Sequence, residues 1–239
     1  MARHDHLVGV LGGMGPAATA DFYAKLIRCT PATRDQDHLR VVIWADPTVP
    51  DRVAAVIDGS SQPYPAMLAG ARHLRDLGAT IVAMPCHTAH AFLPDLRADT
   101  GLRFLDMVEE TVTELFRQQG PDGAIGLLGS RGTIHSGLYQ DRLRRACLDV
   151  AVPAEPVQEQ VDLAIGKVKL NEVKAAAEHL GYAVEAMARA GSTRIVLACT
   201  ELPLAADLLA PGPVELLDPT DLLARAVARE CVVSDLAAR

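Results

Sequence analysis

The sequence predicts an α/β protein built as two similar halves with mainly parallel sheets, related by pseudo-twofold symmetry. Three observations carry that reading. Short apolar runs alternate with longer amphipathic stretches along all 239 residues, and strand then helix, repeated, means parallel strands joined by crossovers. Two motifs then recur in the same order. Gly9-Val-Leu-Gly12-Gly-Met-Gly15 matches Gly126-Leu-Leu-Gly129-Ser-Arg-Gly132, and Gly78-Ala-Thr-Ile-Val-Ala-Met-Pro-Cys86 matches Gly191-Ser-Thr-Arg-Ile-Val-Leu-Ala-Cys199, at nearly equal separations. Finally, the length allows one large domain or two small ones at roughly 100–200 residues each. The first domain is expected to hold residues 1–108 and 212–239, and the second residues 109–211.

The elements follow in chain order. Strands are expected at residues 7–11, 41–45, 80–84, 124–128 and 194–198, each rich in Val, Ile and Leu. Residues 105–108 and 151–154 are read as further strands. Helices are expected near 18–28, 64–77, 109–118, 137–146, 173–190 and 222–233. In the fifth of these, Leu180, Val184, Met187 and Ala188 fall on one face. Aromatics are only 4% of the chain, so aliphatic packing must build the core.

Composition narrows the function. Hydrophobic residues at 49% and charged residues at 22% are globular proportions. Lys plus Arg at 23 against Asp plus Glu at 30 leaves a net charge of −7, which argues against a duplex-binding surface and hence against a nucleic-acid partner. No apolar run approaches the ~20 residues of a membrane span. The start, Met1-Ala-Arg-His-Asp-His, leads straight into a short strand-like run and is not read as a leader. Five cysteines without paired spacing suit a reducing cytoplasm better than a disulfide scaffold.

Cys86 and Cys199 are the main lead. Each ends a strand at matched places in the two halves, before a Thr and an expected helix start, and in open α/β sheets ligands collect at the carboxyl ends of strands. Pseudo-symmetry sets the two thiols on opposite sides of a shared cleft. A helix N-terminus is expected to lower each thiol pKa toward neutrality. Two thiols on opposite faces suit inversion of a carbon stereocentre: one removes a proton and the other delivers one. Cys29, Cys147 and Cys231 sit in helix-like contexts and read as small buried hydrophobes. A redox pair would favour Cys-x-x-Cys, which is absent.

Other ligand classes have weaker support. Cys86-His87-Thr-Ala-His90 groups a thiol with two imidazoles, but nothing completes a zinc spacing, so no metal is expected. Gly13-Met-Gly15-Pro-Ala-Ala18 fits a dinucleotide fingerprint, with Asp46 at the acidic position. Pro16 removes an N–H there, and Asp46 lies beyond the usual ~20 residues, so no nicotinamide cofactor is expected. Arg52 is read in a loop after a strand, and Lys169 in Val-Lys-Leu-Asn after the middle of the second half.

These residues resemble the aspartate/glutamate racemase family, in its cofactor-independent amino-acid racemase branch, from Gly9 to about Ala226. The marks are Gly12-Gly-Met-Gly-Pro16, Asp35-Gln-Asp-His38, Pro50-Asp-Arg52, Met84-Pro-Cys86 with Thr88-Ala-His90, Gly132-Thr-Ile-His-Ser-Gly137 with Tyr139, Cys199-Thr-Glu-Leu-Pro203 and Asp218-Pro-Thr220. The resemblance implies two Rossmann-like halves with the site between them, and Cys86 and Cys199 as acid/base thiols acting without pyridoxal. It implies that Arg52 and Lys169 form a buried cationic clamp on a side-chain carboxylate. Met14, Thr88, Thr133 and Thr200 would cradle an acidic amino acid, with Glu201 beside the second thiol. A cytoplasmic homodimer is the expected form. Two positions depart from the family pattern: His87 stands where Asn is usual, and Val53 where Thr is usual. An imidazole titrates near neutrality, so His87 is expected to meet the substrate's backbone end and to add an ionisation to activity. The alternatives are an isomerase or decarboxylase on the same scaffold, and a non-catalytic binding protein.

Overall fold

A computed structural model describes residues 6–118 and 123–237. Residues 1–5, on which the absence of a leader is read, lie outside them. The order is β1 (Leu7–Gly12), α1 (Pro16–Cys29), β2 (Arg40–Ala45), α2 (Arg52–Ile57), α3 (Tyr64–Asp76), β3 (Ile81–Ala83), α4 (Leu93–Thr100), α5 (Met107–Gln118), β4 (Ile125–Gly129), α6 (Arg131–His135), α7 (Leu138–Arg145), β5 (Val150–Ala151), α8 (Glu155–Lys169), α9 (Val173–Arg189), β6 (Arg194–Ala198), α10 (Leu202–Ala206), β7 (Glu215–Leu217) and α11 (Pro219–Ala237).

Among the described residues seven strands form two sheets, ordered β2-β1-β3 and β5-β4-β6-β7, and every pairing between them is parallel. The central strands are buried on both faces, which is why they read as unbroken apolar runs. On one side of β1, Val8 and Val10 pack with Phe22 and Leu26 of α1 and Leu223 and Val227 of α11. On the other, Leu11 meets Met67 and Leu74 of α3. In the second sheet Leu128, Ile195 and Leu197 face Val161 and Ile165 of α8 and Leu180 of α9. Ile125, Leu127 and Val196 face Val112 and Leu115 of α5 and Leu143 of α7. Each such aliphatic side chain contributes about 1.5–3 kcal/mol on full burial. β7 pairs with β6 and α11 packs into the core around β1, so the chain crosses back between Leu217 and Pro219.

Several expectations need correction. Residues 105–108 are not a strand: Phe104 makes one isolated bridge to Val82. Asp106 Oδ1 then accepts from Val108 N and Glu109 N at 3.0 and 3.2 Å, which starts α5 at Met107. At 151–154 only Val150–Ala151 is strand, because Pro153 intervenes and α8 begins at Glu155. Cys147 is exposed, at φ 57° just after α7, rather than a buried hydrophobe. Among the described residues no helix is long and apolar enough to cross a membrane.

The turn after β1 shows what its glycines are for. Gly13 has φ +89°, and a Cβ there would fall 2.3–2.6 Å from the backbone of Asp46. Only glycine allows the two chain segments this approach, so close packing accounts for the fingerprint-like spacing.

Candidate active site

Four strand ends open into one cavity of about 310 Å³. The segment after β1 supplies Met14; that after β3 supplies Cys86, His87 and Thr88. The segment after β4 supplies Ser130 and Arg131, and that after β6 supplies Cys199, Thr200 and Glu201. Asp51, Arg52 and Val53 enter from the start of α2, and Asp162, Ile165 and Lys169 from α8. Both halves therefore build the wall, at the carboxyl ends where parallel sheets present ligands.

The two thiols line the same cavity and both are buried. Their environments differ. Burial pushes the Cys86 thiol above its usual value, and the Arg52 guanidinium beside it works against that rise. Burial pushes Cys199 up much further, reinforced by the Glu201 carboxylate, whose Oε2 accepts the thiol proton at 3.0 Å. The expected lowering toward neutrality is thus reversed. Only the short turn Thr88–Phe92 follows Cys86 and only five-residue α10 follows Cys199, so too few aligned peptides are present to outweigh desolvation.

Arg52 is the first residue of α2 rather than a loop residue. Asp51 caps that helix, its Oδ1 accepting from Val53 N and Ala54 N at 2.7 and 3.0 Å. Three backbone carbonyls hold the guanidinium: Nη1 donates to Val49 O and Pro50 O at 3.0 and 3.1 Å, and Nη2 to Met14 O at 3.3 Å. Its Nε is buried without a partner. Lys169 ends α8 and is exposed at the rim. The expected buried clamp is in fact a half-buried guanidinium and an exposed ammonium.

His87 is 2% exposed and neutral: burial drives its pKa well below 6.5, with His90 adding to the fall. The expected ionisation near neutrality is therefore corrected. Its Nδ1 lies 3.1 Å from Tyr139 Oη on α7, and its Nε2 is buried without a partner. Thr88 crosses between the halves, its Oγ1 2.9 Å from Ser130 Oγ and 3.0 Å from Thr133 Oγ1, while Ser130 and Thr133 are 3.0 Å apart. Thr133 completes this hydroxyl triangle from behind the cavity wall rather than lining it. Thr200 Oγ1 donates to Glu201 Oε2 at 3.4 Å.

His90, the second imidazole of the Cys-His-His run, is consumed by structure. Its Nε2 accepts from Met107 N at 3.2 Å, so its Nδ1 carries the proton and donates to Cys86 O at 2.8 Å. Among the described residues no group of three or more His, Cys, Asp or Glu is placed to hold a metal ion.

The sequence reading missed Ser130, Arg131, Asp162 and Ile165. Ser130 and Arg131 stand inside the repeated glycine motif, which was the available signal. Asp162 and Ile165 lie on α8, whose Val157, Val161, Ala164, Ile165 and Val168 form one apolar face, the signal that could have found them. Asp162 Oδ2 accepts from Arg131 Nε at 2.6 Å, and Glu155 from the same guanidinium at 2.7 and 3.1 Å.

The fold and site thus define a class, a doubly sheeted parallel α/β protein with a cysteine from each half in one cavity. Comparison with known proteins gives the family. Residues 11–227 match the family model described as Asp/Glu/Hydantoin racemase. The broad specificity amino-acid racemase RacX of Bacillus subtilis is 27% identical over 223 residues, 92% of this chain and 95% of the relative. The aspartate racemase of Picrophilus torridus superposes with a TM-score of 0.83 at 30% identity, over 95% of this chain and 94% of that one. The glutamate racemase of Francisella tularensis, solved with D-glutamate, shares the fold with a TM-score of 0.68 at 16% identity, over 98% and 84% of the two chains. The chain belongs to the Asp/Glu/hydantoin racemase family, and its class is that of an amino-acid racemase, an isomerase.

Proposed function

We propose that the protein inverts the α-carbon of acidic amino acids, aspartate, glutamate or a relative, by a two-thiol mechanism that needs no cofactor. The observation that carries this reading is that Cys86 and Cys199 share one cavity with two unsatisfied buried polar atoms, Arg52 Nε and His87 Nε2. A buried polar group without a partner costs about 1–3 kcal/mol, and a bound amino acid would satisfy both. Cys86, with the guanidinium beside it, is the thiol easier to ionise and takes the α-proton. Cys199, whose proton rests against Glu201, delivers one to the opposite face of the carbanion. The Cα–H bond broken on one face is replaced on the other, a thiolate and a thiol exchange places, and Glu201 provides the route by which Cys199 loses its proton for the reverse direction.

Arg52 and Lys169 hold the side-chain carboxylate in this reading, and His87 Nε2 meets the amino-acid backbone end. One observation favours a wider range. Arg52 is already engaged by three carbonyls, so the site does not collapse without an acidic side chain, and the Bacillus relative is named for broad specificity. Single enantiomers of aspartate, glutamate, alanine, serine and lysine, incubated with purified protein and resolved on a chiral column, test the proposal. Inversion with acidic substrates preferred supports it; no inversion of any of them overturns it.

A further inference from the structure

His87 offers one ring nitrogen to the cavity and bonds the other across to the second half. Nε2 is buried without a partner in a residue that lines the cavity, and Nδ1 lies 3.1 Å from Tyr139 Oη. A neutral imidazole carries one proton, and the nitrogen that holds it decides what Nε2 can bind. With the proton on Nε2 the cavity meets a donor, which suits a carboxylate. With the proton on Nδ1 it meets a lone pair, which suits an ammonium group.

The neighbours of Tyr139 decide between these. Tyr139, from α7, is fully buried, and its ring centre lies 5.6 Å from that of His87. The other hydrogen-bonding neighbour of its phenol is Thr111 of α5. Thr111 is fully buried too, and its hydroxyl already donates to Met107 O at 2.7 Å, so toward the phenol it can only accept. Tyr139 therefore donates to Thr111, and its oxygen accepts from His87 Nδ1. Every donor in this run then has an acceptor, down to the Met107 carbonyl. The opposite tautomer turns the phenol proton to His87 and sets lone pairs of Tyr139 and Thr111 against each other, with no donor between them. His90, three residues on, also carries its proton on Nδ1.

Other acceptors in the cavity wall are engaged. Thr88 and Ser130 bond each other, Asp162 takes Arg131 and Gln158, Asp51 caps α2, and Glu201 takes the Cys199 and Thr200 protons.

We propose that Tyr139 is a positioning residue for the reaction: from the second half it holds the His87 proton on Nδ1, so that Nε2 accepts from the α-ammonium group of the substrate rather than meeting its carboxylate. This rests on the reading above that the cavity takes an amino acid, and it fixes which way round the backbone end of that amino acid lies.

Long-range proton–nitrogen correlation spectra of the full chain, labelled with nitrogen-15 histidine at neutral pH, test the tautomer. The His87 signals are assigned by their loss in His87→Asn. The native chain should show a protonated Nδ1 and a bare Nε2; a proton on Nε2 would overturn the proposal. Tyr139→Phe keeps the ring and removes the acceptor. It should move the His87 proton toward Nε2 and raise KM about two- to tenfold, the loss of one hydrogen bond, with kcat held within about twofold because the contact is made equally before and during the reaction. An unchanged tautomer in that variant would show that Tyr139 does not set it. Adding aspartate to the native chain should shift the Nε2 resonance, whereas succinate, the same dicarboxylate without the amine, should not. Equal shifts with both, or none with aspartate, would overturn the ammonium contact. The native spectrum and this titration stand even if Tyr139→Phe does not fold. The tautomer is read without substrate, so its failure is distinct from a failure to racemise, which the chiral assay reads.

Discussion

The Sγ of Cys199 lies 3.0 Å from Oε2 of Glu201, whereas Cys86 has the Arg52 guanidinium for its charged neighbour. The pseudo-symmetry of the two halves therefore stops at the reacting atoms. An anion beside a thiol favours its protonated form and a cation favours the thiolate. Burial raises both thiols, yet the two charges pull them apart, and two groups pushed apart are suited to opposite roles in one proton transfer. In the proposed mechanism Cys199 therefore serves as the acid and Cys86 as the base.

Glu201→Gln should separate these effects. It removes the anion, so the Cys199 thiol pKa falls and its iodoacetamide labelling at pH 7.5 rises severalfold, while racemisation slows because the route for its proton is lost. Mass spectrometry of labelled peptides reads the first effect. Unchanged labelling would mean that Glu201 does not control this thiol.

Arg52→Ala should weaken acidic substrates about ten- to a hundredfold in kcat/KM, the loss of a charged hydrogen bond worth about 1.5–3 kcal/mol. Alanine and serine should suffer only the part that comes from a less ionised Cys86. Equal losses for acidic and neutral substrates would place Arg52 outside the side-chain site.

His87 contributes no ionisation between pH 6 and 7, because burial holds it neutral far below its usual range. The pH–rate profile of the native protein and of His87→Asn should thus share the same acid limb. The substitution should still cost about two- to tenfold in kcat/KM, since it loses a neutral hydrogen bond of about 0.5–1.5 kcal/mol and the bond to Tyr139. An acid limb that moves with the substitution would contradict this account.

Acid stability follows from His90. Burial lowers its pKa, with Arg142 and Arg97 adding to the fall and Asp106 and the Cys86 carbonyl opposing it. Folded His90 is neutral while the unfolded chain takes up a proton below about 6.5. The stability it contributes is therefore complete above that value and lost as pH falls through the folded pKa, by up to about 1.4 kcal/mol per pH unit. Urea midpoints between pH 7.5 and 5 should fall steeply for the native chain and less steeply for His90→Asn. Parallel slopes would show that His90 does not carry the effect.

Much of this architecture was legible in the residues. Four of the five main strands, β1, β3, β4 and β6, are buried along almost their whole length, so their apolar runs stood out, β2 kept such a run at an exposed edge, and the paired glycine and cysteine motifs marked which strand ends would converge. α8 was hard to read because Pro153, Pro156 and Gly166, all poor helix formers, flank or interrupt its sequence, although Gly166 lies on the side away from the apolar face, and Asp162 and Ile165 are carried on that helix. The thiol and imidazole ionisations were misjudged for one physical reason. Local sequence shows Glu201 beside Cys199 and His90 near His87, while Arg52 beside Cys86 and the desolvation that dominates all three come from packing between distant segments such as α7 and the β6 end.

The two-thiol claim is tested most directly by α-proton exchange in deuterated water with single enantiomers of the best substrate, using Cys86→Ser and Cys199→Ser. Each variant should lose racemisation by about 10²–10⁴-fold, the usual weight of a positioned acid or base. Each should also retain deuterium wash-in from one enantiomer only, the opposite enantiomer in the two variants. Full racemisation by either variant, or wash-in from the same enantiomer in both, would contradict the account.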